Sequence, residues 1–163
     1  MSQPDPGAEA AQTSGFQRSP LWPAVQARHL AGHPDCAACA RPGAPVQVHH
    51  IFPFHFCIAL GRPDLELDAR NLITLCASRD GQAGQDHHLL LGHLDSFLSG
   101  NLEVIQDAAG PFHGQTAAQL QAAPSWQAKV QTRLAPLEQL TPAERTALRA
   151  AMDRRFPPPP TAP

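Results

Sequence analysis

The stretch that decides the fold runs from Pro45 to Phe52 and reads PVQVHHIF. Its valines and isoleucine are typical of a strand, and the two histidines lie toward the end of that strand. A second apolar run, LITLC, follows Asn71 and predicts a second strand over residues 71 to 75. Residues 86 to 99 read DHHLLLGHLDSFLS, which predicts a helix capped by Asp86. Two short strands followed by a helix, with helices on either side, predict an α+β protein.

The flanking sequence predicts two further packing helices. The first begins near Ser19 and ends near Gly32, and Trp22, Val25 and Leu30 form its inward side. Residues 53 to 70 predict a packed, ordered loop, which contains His55. The second helix occupies residues 141 to 156, TPAERTALRAAMDRRF, and opens with a capping box. Its basic side is expected to be a solvated face of a packing helix, and it consists of Arg145, Arg149, Arg154 and Arg155.

Composition divides the 163 residues into one folded body and two loose ends. We expect a disordered segment over 1–17, the main domain over 18–110, a helical region over 111–156 and a Pro-rich disordered tail over 157–163. A signal peptide and an apolar run long enough to cross a membrane are both missing from the sequence. A cytoplasmic protein with no membrane partner is the expectation.

Four cysteines in a chain expected to be cytoplasmic predict metal ligands or free thiols rather than disulfides. Cys36 and Cys39 form a CxxC pair, the spacing at which two thiolates reach one zinc ion. Cys76 and His87 are positioned to complete a structural zinc site of three cysteines and one histidine. Cys57 competes with His87 for the fourth place, although its apolar surroundings favour a buried thiol.

The charge balance is unusual for a protein that binds nucleic acid. The whole chain has a net charge of −2, and residues 18 to 110 hold nine acidic residues against six arginines and no lysine, a net −3. Phosphate binding usually relies on Lys and Arg, so such a module must depend on bound cations, a few arginines or a partner protein. The arginines in question are Arg18, Arg28, Arg41, Arg62, Arg70 and Arg79.

The His49-His50 pair predicts two different chemical roles. Successive strand residues point to opposite faces, so both rings cannot reach one metal ion from a regular strand. Neutral imidazole can bind a divalent transition metal, and it can also accept a proton from water near neutral pH. His88 and His93 are the further candidate ligands, but they lie about 140° apart around an ideal helix, too wide to share an ion unless the turn at Gly92 deviates.

The order of these motifs resembles the zinc-bearing branch of the HNH endonuclease family. The matching blocks are Cys36 to Cys39, HHIFPFH from His49 to His55, NLITLC from Asn71 to Cys76, and HHLLLGHL from His87 to Leu94. The resemblance covers about residues 18 to 105. It implies a small ββα-metal (His-Me finger) core with a structural zinc ion.

The resemblance also implies residue roles. His50 would be the general base that activates water, and His49 would hold a catalytic divalent cation, such as Mg²⁺, Mn²⁺ or Ni²⁺, together with His93, His88 or both. Asn71 would brace the loop between the strands and so orient the base. The implied activity is hydrolysis of phosphodiester bonds in DNA, with a partner protein or a homodimer as a further possibility. Two alternatives stay open, namely a catalytically silent zinc module that binds nucleic acid or protein, and a nuclease directed at RNA.

Overall fold

A computed structural model describes residues 15–39, 42–78, 85–158 and 160. Arg41, Arg79 and most of the two expected disordered ends lie outside the described residues. The helices are α1 (Trp22–Gly32), α2 (Phe54–Ala59), α3 (Val104–Ala109), α4 (Ala117–Ala122), α5 (Pro124–Gln131) and α6 (Pro142–Arg155), with a five-residue π-helix at His88–Gly92. The strands are β1 (Val46–His50) and β2 (Leu72–Cys76), and short 3₁₀ turns lie at Pro63–Glu66, Ala69–Asn71 and Leu137–Gln139.

The two strands form an antiparallel pair within a mixed, mainly helical fold. His49 lies opposite Ile73 and His50 opposite Leu72. Because successive side chains alternate between faces, this register turns the two histidine rings to opposite sides of the sheet. The predicted strand pair and the α+β class are confirmed.

The helix α1 packs on one face of the sheet. Trp22 forms a small apolar cluster with Val48 of β1 and Leu72 of β2, and Val25 and Leu30 pack against its edge. The inward side predicted for this helix is therefore confirmed. The cluster places the N-terminal end of α1 beside the ring of His50, whose centroid lies 4.6 Å from that of Trp22.

The last helix, α6, covers the connection between the strands. It begins with the predicted capping box, in which Thr141 accepts a hydrogen bond from the Glu144 backbone and Glu144 caps Thr141 in return. Arg149 donates to the Leu60 carbonyl at 2.7 Å, so part of the basic side is used within the fold. The connection itself is ordered, as predicted, but it contains α2 and two 3₁₀ turns.

The helix predicted over residues 86 to 99 is wrong in extent. Only His88–Gly92 is helical, and it has π-helix hydrogen bonding. Asp86 does not cap it, because Asp86 has a backbone φ of 55° and its carboxylate instead accepts from the Ser78 backbone. Leu94 and Asp95 also have positive φ, so the chain leaves the helical path directly after His93. None of the helices in the described part of the chain is long and apolar enough to cross a membrane.

Candidate metal centres

Four residues from three parts of the chain meet at the first candidate metal centre. Cys36 and Cys39 come from the turn after α1, Cys76 from the end of β2, and His87 from the residue before the π-helix. Their ligand atoms all lie within 4.8 Å of one another. Nδ1 of His87 is 3.3 Å from the sulfurs of Cys39 and Cys76 and 3.5 Å from that of Cys36. The structure thus brings together the predicted set of three cysteines and one histidine, a donor set that suits zinc.

The surroundings of this cluster favour metal binding by Cys76 and His87. A hydrogen bond from Cys36 lowers the pKa of the Cys76 thiol, and His87 contributes in the same direction. Nε2 of His87 donates to the Gln115 carbonyl at 2.8 Å, and this bond leaves Nδ1 with its lone pair toward the sulfurs. Gln115 follows α3, so the C-terminal region orients a ligand of the cluster. The sequence contains no signal for this contact, because a backbone carbonyl makes it.

Cys57, the competing candidate, lies elsewhere. Its thiol is fully buried and donates to the Phe52 carbonyl at 3.2 Å. Burial raises the pKa of Cys57 to about 12, so it stays a thiol at neutral pH. It belongs to the hydrophobic core rather than to the cysteine cluster.

Three histidines form the second candidate metal centre. His49 of β1 lies beside His88 and His93, and one nitrogen from each ring lies within 4.8 Å of the others. The centroid of the His49 ring lies 4.6 Å from that of His93 and 5.3 Å from that of His88. All three residues are buried. Nε2 of His49 is shielded from solvent and has no hydrogen-bond partner among the residues that the structure describes. A cation between the three rings would satisfy this nitrogen, so the residues fit a divalent transition metal.

The π-helix explains how His88 and His93 both face His49. An α-helix would place residues five apart on different sides, whereas π-type bonding links residue i with residue i+5 and brings them together. The deviation at Gly92 that the sequence required is therefore present. A Cβ atom on Gly92 would lie 3.0 Å from Cε1 and Nδ1 of the His49 ring. Glycine at this position lets the strand histidine approach the π-helix.

Hydrogen bonding and burial keep His93 in a tautomer and a neutral form that can bind a metal. Its Nδ1 donates to the Ser99 carbonyl at 2.8 Å, so its Nε2 carries the lone pair. Burial lowers the pKa of His93 to about 4 and also lowers the pKa values of His49 and His88. The three rings are neutral at physiological pH, which is the form that binds metal.

His50 lies apart from this trio on the other face of the strand. Its Nε2 donates to the Glu66 carbonyl at 2.9 Å. A carbonyl can only accept, so the lone pair of the neutral ring resides on Nδ1. Burial and the charge of Arg18 lower the pKa of His50 to about 3. The ring is thus a neutral hydrogen-bond acceptor held in one tautomer.

Arg18 and Glu66 form the wall beside His50. The Arg18 guanidinium lies over the rings of Phe54 and Trp22, at 4.2 and 4.8 Å from their centroids, and 3.8 Å from the Glu66 carboxylate. Both carboxylate oxygens of Glu66 also accept from the one backbone N–H of Ser19. Sequence reasoning named Arg18 only as a nearby cation and did not identify Glu66, which acts on His50 through its backbone.

The side chain of Asn71 links the residues after β1 to the 3₁₀ turn whose Glu66 carbonyl bonds to His50. Its Oδ1 accepts from the Phe52 backbone at 2.8 Å, and its Nδ2 donates to the Leu65 carbonyl at 3.0 Å. Leu65 precedes Glu66 within the same 3₁₀ turn. Asn71 is thus fully buried at the junction of the chain segments that determine the position of the His50 ring.

A narrow cleft lies beside the three-histidine cluster. The cleft beside the three histidines is lined by Arg18, His50 and His55 as well as by the trio itself. His55, expected in a loop, lies in α2. Of the other arginines expected near the site, Arg62 bonds to Asp64 and Asp153, and Arg70 bonds to Asp68.

The chain was compared with protein-family models, curated proteins and solved structures. No family model, curated protein or solved structure matches it. The case for its function therefore rests on the residues of the two clusters and their surroundings.

Proposed function

We propose that this protein is a metal-dependent endonuclease of the HNH type, which hydrolyses phosphodiester bonds in DNA. In this proposal β1, β2 and the π-helix form a ββα-metal core, and the cysteine cluster holds a structural zinc ion. The observation that carries the proposal is that the three-histidine cluster and a fourth histidine, His50, line the same cleft, and that the buried His50 ring keeps the lone pair on Nδ1 free.

His49 and His50 have different roles in this proposal. His49, His88 and His93 would hold a divalent cation, which would neutralise charge on the phosphate in the transition state and stabilise the 3′ oxygen that leaves as the water oxygen bonds to phosphorus and the P–O bond breaks. His50 takes a proton from the attacking water on Nδ1, while the Glu66 carbonyl accepts from Nε2 and stabilises the resulting imidazolium. A phosphate near Arg18 would offset the charge that lowers the pKa of His50 and so make this ring a stronger base.

Asn71 acts as a positioning residue. It fixes Leu65 and Phe52, and Leu65 precedes the residue whose carbonyl orients His50. Such an outer partner is expected to influence activity without touching the substrate.

The test is a nicking assay on supercoiled plasmid with the zinc-loaded protein and Mg²⁺, Mn²⁺ or Ni²⁺. Substitution of His50 by alanine should lower the nicking rate by about 10²- to 10⁴-fold, the usual contribution of a general base. The matched control is His33→Ala, since His33 is an exposed histidine at the end of α1 and should be dispensable. Unchanged nicking by His50→Ala would refute the role of the base.

Two other functions are outcomes of the same assay. A wild-type protein that cuts structured RNA but not plasmid DNA is an RNA nuclease with the same chemistry. A wild-type protein that cuts neither substrate with any of the three metals supports the zinc-binding module that recognises nucleic acid or protein. Neither outcome is compatible with the proposed DNA endonuclease.

A further inference from the structure

His55 is the fifth histidine that lines the cleft, and the proposed mechanism does not use it. It lies in the first turn of α2 and is buried, with 5% of its surface exposed. It lines the same cleft as His49, His88 and His93.

Two imidazole nitrogens at this cleft are shielded from solvent and lack a hydrogen-bond partner within the described part of the chain. They are Nε2 of His49 and Nε2 of His55. A buried polar atom without a hydrogen-bond partner is unfavourable, so each is expected to have a partner in the functional protein. A cation satisfies the nitrogen of His49. The same cation would not bind Nε2 of His55 directly, because His55 is not part of the cluster in which the nitrogens of His49, His88 and His93 lie within 4.8 Å of one another.

The chemistry of His55 fits a water molecule as this second partner. Burial lowers its pKa, while Glu138 and a hydrogen bond to the Leu98 backbone raise it and Arg18 lowers it. The neutral ring that results can donate to water or accept from it. The cleft has about 20 Å³ of internal space, which is roughly the room that one water molecule requires.

We propose that His55 is an outer-sphere partner of the cation held by His49, His88 and His93, with Nε2 hydrogen-bonded to a water on that cation. A catalytic site with three protein ligands keeps at least one position for water, and neighbouring side chains fix that water. His55 would therefore hold the cation's water without being a ligand itself. The inference rests on the metal-binding part of the proposed function, not on nuclease activity.

The experiment uses Co²⁺ as the probe and no nucleic acid. The full-length protein, loaded with one equivalent of zinc, is titrated with Co²⁺ by calorimetry and by visible absorption. We expect His55→Phe to bind one equivalent of Co²⁺ with about 10- to 100-fold lower affinity, the usual effect of losing an outer partner, and with a shifted absorption band. His55→Gln, whose amide can still hydrogen-bond water, should recover most of the affinity and the band.

Controls separate this role from packing and from direct ligation. His33→Phe should match the wild type, while His49→Phe should abolish the second equivalent. Wild-type affinity and an unchanged band in His55→Phe would overturn the proposal, as would complete loss of the site in both His55 variants. If His55→Phe neither folds nor retains zinc, the test rests on His55→Gln. Co²⁺ affinity and an absorption band like those of the wild type in His55→Gln support the proposal, and loss of the Co²⁺ site overturns it. A wild-type protein that does not bind Co²⁺ also overturns it.

The outcomes also separate this inference from the proposed function. A wild-type protein that binds Co²⁺ through an outer-sphere His55 but never nicks DNA would refute the endonuclease alone. A protein that nicks DNA while His55→Phe binds Co²⁺ normally would refute the role of His55 alone.

Discussion

His87 and His88 are neighbours in the chain, yet their rings lie in two different candidate metal centres. Nδ1 of His87 faces the three cysteine sulfurs, and a nitrogen of His88 lies with those of His49 and His93. A single peptide bond therefore links the two centres. Anything that fixes the backbone at His87 also restricts the start of the π-helix that presents His88 and His93.

Loss of the first metal should consequently weaken the second site. Cys36→Ser removes one thiolate ligand, so we expect loss of the zinc equivalent in metal analysis. The free energy of unfolding should fall by about 4 kcal/mol where free zinc exceeds its dissociation constant a thousandfold. Titration with Co²⁺ should show weaker binding at the three-histidine cluster.

The matched control for this experiment is Cys57→Ala, because Cys57 is a buried thiol outside the cluster. It should retain one zinc equivalent, although the cavity costs stability. Wild-type zinc affinity in Cys36→Ser would contradict the four-residue site. Loss of zinc with unchanged Co²⁺ affinity would contradict the coupling between the centres.

Gly92→Ala should damage the three-histidine cluster selectively. The added methyl group would lie 3.0 Å from two atoms of the His49 ring, closer than packed atoms normally approach. Because that ring also contacts His88 and His93, the shift needed to relieve the close approach would disturb the arrangement of the three rings. We expect at least about a tenfold loss of Co²⁺ affinity and of nicking, by analogy with the loss of a supporting partner.

Gly32→Ala is the appropriate control, since a Cβ on this residue of α1 would meet no atom within 4 Å. It should bind zinc and Co²⁺ as the wild type does. Normal Co²⁺ affinity in Gly92→Ala would show that the His49 ring can relocate and still reach the cation.

The sequence was most informative where spacing or alternation constrains geometry. The CxxC pair, the alternation of His49 and His50, and the capping box at Thr141 each restrict a few neighbouring residues, and the structure agrees with them. The predicted helix over residues 86 to 99 is too long, because its apolar pattern reveals neither the π-helix at His88–Gly92 nor the positive φ of Leu94 and Asp95 directly after His93.

Contacts made by the backbone were beyond prediction from sequence. The carbonyls of Glu66, Ser99 and Gln115 set the tautomers of His50, His93 and His87, respectively. Any residue type supplies a carbonyl, so residue identity gives no indication of such a role. The place of His55 in the cleft was likewise unpredictable, since it depends on how α2 packs against the sheet.

Asn71→Ala should affect both stability and activity. The substitution leaves the buried Phe52 backbone N–H and the Leu65 carbonyl without their side-chain partner. We expect the free energy of unfolding, measured with urea, to fall by about 3 kcal/mol. Nicking per folded molecule should also fall, because the turn that holds His50 is no longer fixed.

A second buried asparagine provides the control. Asn101 donates to Asp107 at 2.7 Å and is not among the residues lining the histidine cleft. Asn101→Ala should be destabilising while leaving nicking per folded molecule unchanged. Wild-type nicking per folded molecule in Asn71→Ala would show that Asn71 contributes only to stability.

Acid should destabilise the protein in part through His50. Its pKa is lowered to about 3 in the folded protein, against an ordinary value of 6.5 for the unfolded chain. Between these values the unfolded chain binds one more proton at this residue, so acid favours unfolding. The stabilising contribution is complete above about pH 6.5, and it is lost as pH falls toward 3, by about 1.4 kcal/mol per pH unit.

The contribution of His50 can be separated from acid release of zinc by comparison with His50→Gln. Glutamine does not titrate, whereas both proteins lose zinc in acid to the same extent, so the difference in unfolding free energy isolates His50. Urea denaturation at pH 7, 6 and 5 should show that the advantage of the wild type over His50→Gln shrinks by about 1.4 kcal/mol between pH 6 and pH 5. A difference that stays constant over this range would mean that the His50 ring accepts protons as readily in the folded protein as in the unfolded chain. That result would contradict the shielded base that the burial of His50 and its bond to Glu66 indicate.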